Sequence, residues 1–166
     1  MAPIAGQLNY DNGFWRFSLA VYGQAEVTNE CLGLQDAYGI DVNILLFCAW
    51  LGTQSVALKR EDIELASRVV AGWHDDIVRP LRTVRQRVKD ISDDEKLRTS
   101  IKDAEIEAEQ IEQAMLFAFS QQLQGRNEAQ GDCVTTNVRQ YIEMKAPIAT
   151  AQVSAMHLID AARRLR

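Results

Sequence analysis

The sequence predicts an all-α, single-domain bundle of about six or seven helices. Three observations predict it: an apolar run from Ile44 to Leu51, two long stretches whose apolar residues recur every three or four positions, and the lack of a sustained period-two pattern. A chain of 166 residues is a suitable length for one domain. We therefore expect residues 1–166 to form one helical domain, in which residues 1–10, which show no periodicity, are poorly ordered.

Two short helices are expected at the start. Asp11 or Asn12 is the predicted N-cap of the first, whose many aromatic and aliphatic residues indicate burial. The second runs from about residue 24 to residue 38. Its predicted buried face consists of Val27, Cys31 and Leu34.

A central core helix is predicted from the run that ends at Leu51. It has no polar face, so other helices must surround it, and it is far shorter than the ~20 residues that span a bilayer. Asp41 is the predicted N-cap, and Gly39 has the position of a left-handed residue that ends the preceding helix. Gly52 is predicted to end the core helix in the same way.

A long antiparallel hairpin is expected next, with arms at about 61–91 and 93–123. The apolar residues of the first arm are Ile63, Ala66, Val70, Trp73, Ile77, Leu81, Val84, Val88 and Ile91. Those of the second arm are Leu97, Ile101, Ala104, Ala108, Ile111, Met115 and Ala118. Ser92 and Glu95 have capping-box spacing at the start of the second arm. Pro80 is expected to kink or break the first arm, because it lacks the N–H that an α-helix uses.

Two further helices follow a loop at residues 124–131. Asp132 is the predicted N-cap of the first, and Pro147 is expected to end it. The last helix is rich in alanine and closes with arginines, which suit the negative end of a helix dipole.

Composition excludes several classes of protein. The net charge of −5 and the pI of about 5.1 provide no general attraction to nucleic acid, so nucleic acid is not expected as a partner despite the basic run from Arg79 to Lys89. The N-terminus lacks the pattern of a secretory signal, and no stretch is long enough for a membrane span. Three cysteines without a C-x-x-C pair indicate reduced thiols. We expect a cytoplasmic protein.

Acidic residues form one face of the second hairpin arm. Glu105, Glu109 and Glu112 share that face, and carboxylates stacked in this way could hold a metal. Helical di-metal sites also use E-x-x-H motifs, which this sequence lacks, so we predict no metal ligands and instead expect exposed ion pairs across the hairpin. The same register puts His74 near Ile111 and Glu112, where the histidine could act as an acid or a base.

The polar residues beside the core helix are the other candidate site. Capping explains Asp41 but leaves Asp36 and Asn43, and Gln35–Asp36 is the favoured contact point for a ligand or partner. No catalytic residue is assigned, and any cofactor stays unknown. The tentative ligand-binding residues are Gln35, Asp36, Asn43, Trp73, His74, Glu105, Glu109 and Glu112.

Three sequence blocks carry a resemblance to a known family. They are F-W-R-F-S-L-A-V-Y from Phe14, C-L-x-L-Q-D-x-x-G-x-D-V-N-x-L-L-F-C-x-W-L from Cys31 to Leu51, and W-x-x-x-x-V-x-P-L-R from Trp73 to Arg82. In this order and spacing they resemble a family of short, all-helical proteobacterial proteins of unknown function. The resemblance implies a helical, soluble protein and supplies no activity, cofactor or functional residue.

Two functions therefore remain open. The leading hypothesis is a non-enzymatic, cytoplasmic protein-interaction or regulatory module with a protein partner or a homodimer. The alternative is a small-ligand or metal-binding bundle, with enzymatic activity undecided, that has a polar pocket near Asp36, His74 and Glu109. An interaction module should expose a contiguous apolar patch, whereas a binder should have a concave pocket with converging polar groups.

Overall fold

A computed structural model describes residues 8–123, 125, 130–147 and 154–165. This part of the chain is helical throughout its regular structure and contains no strand, which confirms the predicted all-α bundle. The helices are α1 (Gly13–Tyr22), α2 (Ala25–Tyr38), α3 (Val42–Thr53), α4 (Arg60–Trp73), α5 (Arg79–Ile91), α6 (Glu95–Ser120), α7 (Cys133–Lys145) and α8 (Met156–Arg163). A π-helical turn, His74–Val78, joins α4 to α5, so the described residues form seven separate helices. Residues 1–7, most of the segment predicted to be poorly ordered, lie outside the described residues.

Helix α3 lies at the centre of the bundle, as predicted. Its residues from Asn43 to Gly52 are all buried, and it contacts α1, α2, α4, α6, α7 and α8. The Asp41 carboxylate caps it by accepting hydrogen bonds from the backbone N–H groups of Asn43 and Ile44 at 2.9 and 3.4 Å. Gly39 has the predicted left-handed conformation, with φ of 63°. The cap places the Asp41 side chain at the N-terminal end of the core helix.

Gly52 does not end α3, which corrects the prediction. The helix continues to Thr53, and Gly52 is buried against α7. A Cβ atom at this position would lie 2.5 Å from the Cα atom of Val134. The glycine is therefore required by the close approach of two helix backbones, a reason that local sequence does not reveal.

Buried polar groups fix α7 on α3. Asn137 is fully buried, accepts a hydrogen bond from the Leu58 N–H, and donates to the carbonyls of Cys48 and Val56. One turn further on, the Tyr141 hydroxyl accepts a hydrogen bond from the Asp41 N–H at 3.1 Å. These contacts hold α3, from its N-cap Asp41 to the segment that follows it, against α7.

The first hairpin arm passes Pro80 as one continuous helix. In the π turn, the Arg79 N–H donates to the His74 carbonyl, five residues earlier. Pro80 has no backbone N–H to donate, and the wider π turn accommodates this missing donor. The arm therefore continues through the proline instead of breaking there. Turns of this kind are frequent at functional sites, and this one carries His74.

The second arm, α6, is shorter than predicted and buries a different face. Asp94, not Ser92, is its N-cap, because the Asp94 carboxylate accepts from the Leu97 N–H and Ser92 accepts from the Asp94 N–H. Of the predicted apolar stripe, Ala108 is buried, whereas Leu97 and Ala104 are exposed. The buried residues of α6 are Glu105, Ala108, Glu112, Gln113, Ala114, Leu116, Phe119 and Ser120. Acidic residues can lie on that face because cationic side chains from the first arm contact them.

Candidate functional site

Three ionisable side chains converge where α3, the π turn and α6 meet. His74 Nδ1 lies 3.3 Å from Asp41 Oδ2, and 3.1 and 3.3 Å from the two carboxylate oxygens of Glu112. One potential ligand atom from each residue falls within 4.8 Å of the other two. We call these three residues the carboxylate–histidine cluster.

The cluster is mostly removed from solvent. Glu112 is fully buried, and burial raises its pKa to about 7, although the hydrogen bond to His74 opposes the shift. Burial lowers the pKa of His74, but the hydrogen bond to Glu112 and the charge of Asp41 outweigh that effect and raise it. The cluster therefore keeps a proton at higher pH than its separate groups would.

Two buried amide side chains help to orient the Glu112 carboxylate. The Asn43 side chain hydrogen-bonds the Glu112 carboxylate, and Asn43 Oδ1 accepts a hydrogen bond from Gln113 Nε2 at 2.8 Å. Asn43 and Gln113 are each almost fully buried. This chain of amides holds the carboxylate toward His74.

The cluster borders an open cavity of about 580 Å³, which we call the first cavity. Asp36, Asp41, Ser67, His74, Arg82 and Tyr141 are among its lining residues. The contacts of His74 within the cluster use Nδ1, and Nε2 has no hydrogen-bond partner among the described residues. A ligand in this cavity would meet a histidine whose orientation the carboxylates already fix.

A second cavity of about 440 Å³ lies on the other side of Arg82, which lines both cavities together with Gln35. Arg82 donates hydrogen bonds to Glu109 at 2.9 Å and to Glu105 at 3.3 Å, and Arg85 also pairs with Glu105. The Arg82 side chain is only 17% exposed. These pairs are therefore partly buried between α5 and α6, in contrast to the exposed ion pairs predicted from the sequence.

Most of the tentative ligand-binding residues line one or both of the two cavities. Gln35 lines both cavities, and Asp36 and His74 line the first. Asn43, Glu105 and Glu109 line the second, and Glu112 lies behind His74. Trp73 lines neither, because its indole N–H donates to the Ala108 carbonyl at 2.8 Å and ties α4 to α6.

Sequence reasoning missed Asp41 and Tyr141 as parts of the site. Asp41 was explained by its capping role, which uses Oδ1, whereas Oδ2 faces His74. Tyr141 lies 100 residues further along the chain. The hairpin register did predict His74 beside Glu112. Only the pairing of α3 with α7, which has no local signal, brings in Tyr141.

The fold and the site define an all-helical bundle with a buried carboxylate–histidine cluster beside an open cavity. The family model described as "Protein of unknown function (DUF2390)" matches residues 13–116, more than half of the chain, and the chain belongs to that family. This confirms the resemblance to a family of unknown function. The match contains Asp41, His74 and Glu112 but ends before Tyr141. No curated protein and no solved structure matches the chain significantly.

Within residues 8–123, 125, 130–147 and 154–165, no helix is both long enough and apolar enough to cross a bilayer.

Proposed function

We propose that the protein binds a divalent metal ion at Asp41, His74 and Glu112. The observation that carries the proposal is the convergence of three potential ligand atoms, one from each of three chain segments, within 4.8 Å of one another. Two carboxylates would balance the charge of the ion. The metal-binding alternative thus has three candidate ligands, because Asp41 joins His74 and Glu112. This set does not depend on the E-x-x-H motif that the sequence lacks.

The two distances from His74 fit metal coordination. Ligand atoms about 2.1 Å from a metal are about 3.0 to 3.4 Å apart at octahedral or tetrahedral angles. His74 Nδ1 is 3.1 Å from Glu112 and 3.3 Å from Asp41. An ion would replace the proton that these groups share.

The ligand types narrow the choice of metal. One imidazole nitrogen and two carboxylate oxygens suit Zn²⁺, Mn²⁺ or Fe²⁺ better than the all-oxygen preference of Ca²⁺. Three protein ligands leave coordination positions for water or a small molecule, and the first cavity supplies space for either. The competing explanation is a metal-free, hydrogen-bonded cluster that only joins three helices.

Metal uptake tests the proposal. Protein stripped with chelator is dialysed separately against Zn²⁺, Mn²⁺ and anaerobic Fe²⁺, and bound metal is counted by elemental mass spectrometry. We expect one ion per chain, and at least about tenfold weaker binding in Asp41→Asn, His74→Gln and Glu112→Gln, because each removes a ligand charge or imidazole. Asparagine caps helices as well as aspartate does, so Asp41→Asn should keep the fold of α3.

Asp36→Asn is the matched control. Asp36 lines the same cavity but lies outside the cluster, so this variant should bind metal as the unchanged protein does. Failure of the unchanged protein to bind any of the three ions, or equal binding by all three ligand variants, would refute the proposal.

A second candidate is the cytoplasmic interaction module, in the form of a homodimer. Helix α5 has no buried residue, and Val84 and Ile91, seven residues apart on one face, are 47% and 70% exposed. The buried thiols Cys31 and Cys48 support a reducing location.

Sedimentation equilibrium tests this second candidate. We expect a species of twice the 18.7 kDa chain mass, which Val84→Lys combined with Ile91→Lys converts to monomer. Thr83→Lys, on an exposed neighbouring position, should leave the dimer intact. A monomer at all concentrations would exclude the homodimer.

A further inference from the structure

Three exposed aliphatic side chains from three different helices line the second cavity. Leu19 of α1, Leu32 of α2 and Ile106 of α6 are 55%, 39% and 40% exposed. Removing such side chains from water is favourable, so their concentration at one concave place indicates a surface that receives an apolar group. Unlike the buried atoms of the core, these side chains are accessible to a ligand.

The cavity extends along α6. Its lining residues on that helix run from Lys102 to Gln113, which are 11 positions apart and so about 16 Å along the helix axis. On α1 the lining runs from Trp15 to Tyr22, or about 10 Å. The volume of about 440 Å³ lies in the range of small-molecule pockets. These dimensions fit one extended chain better than a single ring.

One charged side chain of the lining has no ionic partner among the described residues. Arg82 is paired with Glu105 and Glu109. Arg85 is paired with Glu105, so these four charges largely compensate one another. The fifth charge, Lys102, is exposed and forms no ion pair in the described part of the chain. The cavity therefore offers an apolar surface and, at one end of its α6 wall, one available positive charge.

We infer that the second cavity binds a free, straight-chain carboxylate of about ten carbons, whose alkyl chain contacts Leu19, Leu32 and Ile106 and whose carboxylate lies beside Lys102. At standard carbon–carbon bond lengths such a chain is about 11 Å long, which fits the cavity. A neutral chain would leave Lys102 without a partner, and a cationic chain would be repelled by it. This site is separate from the proposed metal site and does not require metal.

Two probes of different length test the apolar contact. Octanoate and decanoate, each below the concentration at which it forms micelles, are titrated into the ¹⁵N-labelled full chain, and amide chemical shifts are recorded. Each buried methylene raises affinity about fourfold, so decanoate should bind about 15-fold more tightly than octanoate. The shifts should saturate and concentrate at Leu19, Leu32 and Ile106. Equal affinities, or shifts of similar size at the exposed Leu65 and Met156, would overturn the inference.

A matched pair of variants locates the apolar contact. Ile106→Gln places a polar group in the lining and should weaken decanoate binding about fivefold to tenfold. Leu65→Gln is the control, because Leu65 is 44% exposed on α4 and lies outside the cavity. Both residues are exposed, so both variants should fold. Equal decanoate affinity in the two variants would refute the assignment to this cavity.

A second matched pair tests the charge. Lys102→Gln should weaken decanoate binding about threefold, as expected for an exposed ion pair, and leave the binding of neutral 1-octanol unchanged. Lys96→Gln makes the same change in net charge on the same helix, but Lys96 is outside the lining, so this variant should bind both probes as the unchanged protein does. An equal loss of decanoate affinity in both variants would refute the role of Lys102.

Two other occupants of the cavity are distinguished from the free acid. Flotation with vesicles of phosphatidylcholine and phosphatidylglycerol tests a bilayer, and sedimentation equilibrium with and without decanoate tests a second copy of the chain. We expect no flotation and no change of mass with decanoate. Flotation without saturable decanoate binding, or conversion of a dimer to monomer by decanoate, would overturn the inference in favour of the bilayer or the second copy, respectively.

Discussion

Replacing Gly52 with alanine is expected to lower the free energy of unfolding by about 3 kcal/mol, because the added methyl group overpacks the core. The new Cβ would lie 2.5 Å from Val134 Cα, 2.6 Å from Val134 N and 2.8 Å from the Cys133 carbonyl carbon. All three are backbone atoms, so no side-chain rotation can relieve the contacts. Helices α3 and α7 would have to separate, and the hydrogen bonds of Asn137 and Tyr141 would weaken. Urea denaturation followed by circular dichroism measures the effect.

Gly72→Ala is the control for this experiment. Gly72 is an exposed residue inside α4, and a Cβ there would have no atom within 4 Å. Alanine favours a helix over glycine by roughly 1 kcal/mol, so this variant should be at least as stable as the unchanged protein. Wild-type stability in Gly52→Ala would mean that α3 and α7 are not in the described contact.

The metal-free protein is expected to lose stability as the pH rises from about 5 to 8. In the folded state Glu112 keeps its proton to about pH 7, whereas the unfolded chain releases it near the ordinary value of 4.5. Between these values the folded state binds more protons, so the free energy of unfolding falls as pH rises. His74 acts in the same direction: its contribution is present below pH 6.5 and is lost as pH rises through its raised folded-state pKa. The Glu112 shift corresponds to a change on the order of 3 kcal/mol.

Denaturation of the chelator-treated protein and of Glu112→Gln at several pH values isolates this effect. Subtracting the free energy of unfolding of Glu112→Gln from that of the unchanged protein removes the contributions of other groups. We expect this difference to decrease as the pH rises. With saturating Zn²⁺ the trend should weaken or reverse, because metal binding requires deprotonated ligands. A difference that is constant or rises with pH in the absence of metal would show that Glu112 is ionised throughout.

The helices that follow from local patterns could be predicted well. The apolar run of α3, the Asp41 and Asp132 caps and the Gly39 terminus are short-range features, and all are present. The side of α6 that is buried could not be predicted. Its periodic apolar residues predicted that the apolar face is buried. The arginines of α5 and His74 instead neutralise the glutamates, which allows the acidic face to be buried.

The candidate site was predictable where two segments are related by a simple hairpin. That register predicted His74 beside Glu112, because a short connection sets which residues of the two arms lie opposite one another. It did not predict that Arg82 reaches both Glu105 and Glu109. The π turn adds a residue that counting along ideal helices omits. The division into two cavities depends on the three-dimensional position of Arg82, which no spacing encodes.

The π turn at His74–Val78 also makes the bundle sensitive to length at one point. A helix advances about 100° per residue, so shortening this turn by one residue would rotate α5 by about that angle relative to α4. Arg82 and Arg85 would then turn away from α6, and the wall between the two cavities would open. Relatives with a different number of residues here would therefore enclose a different interior, even with every charged side chain retained.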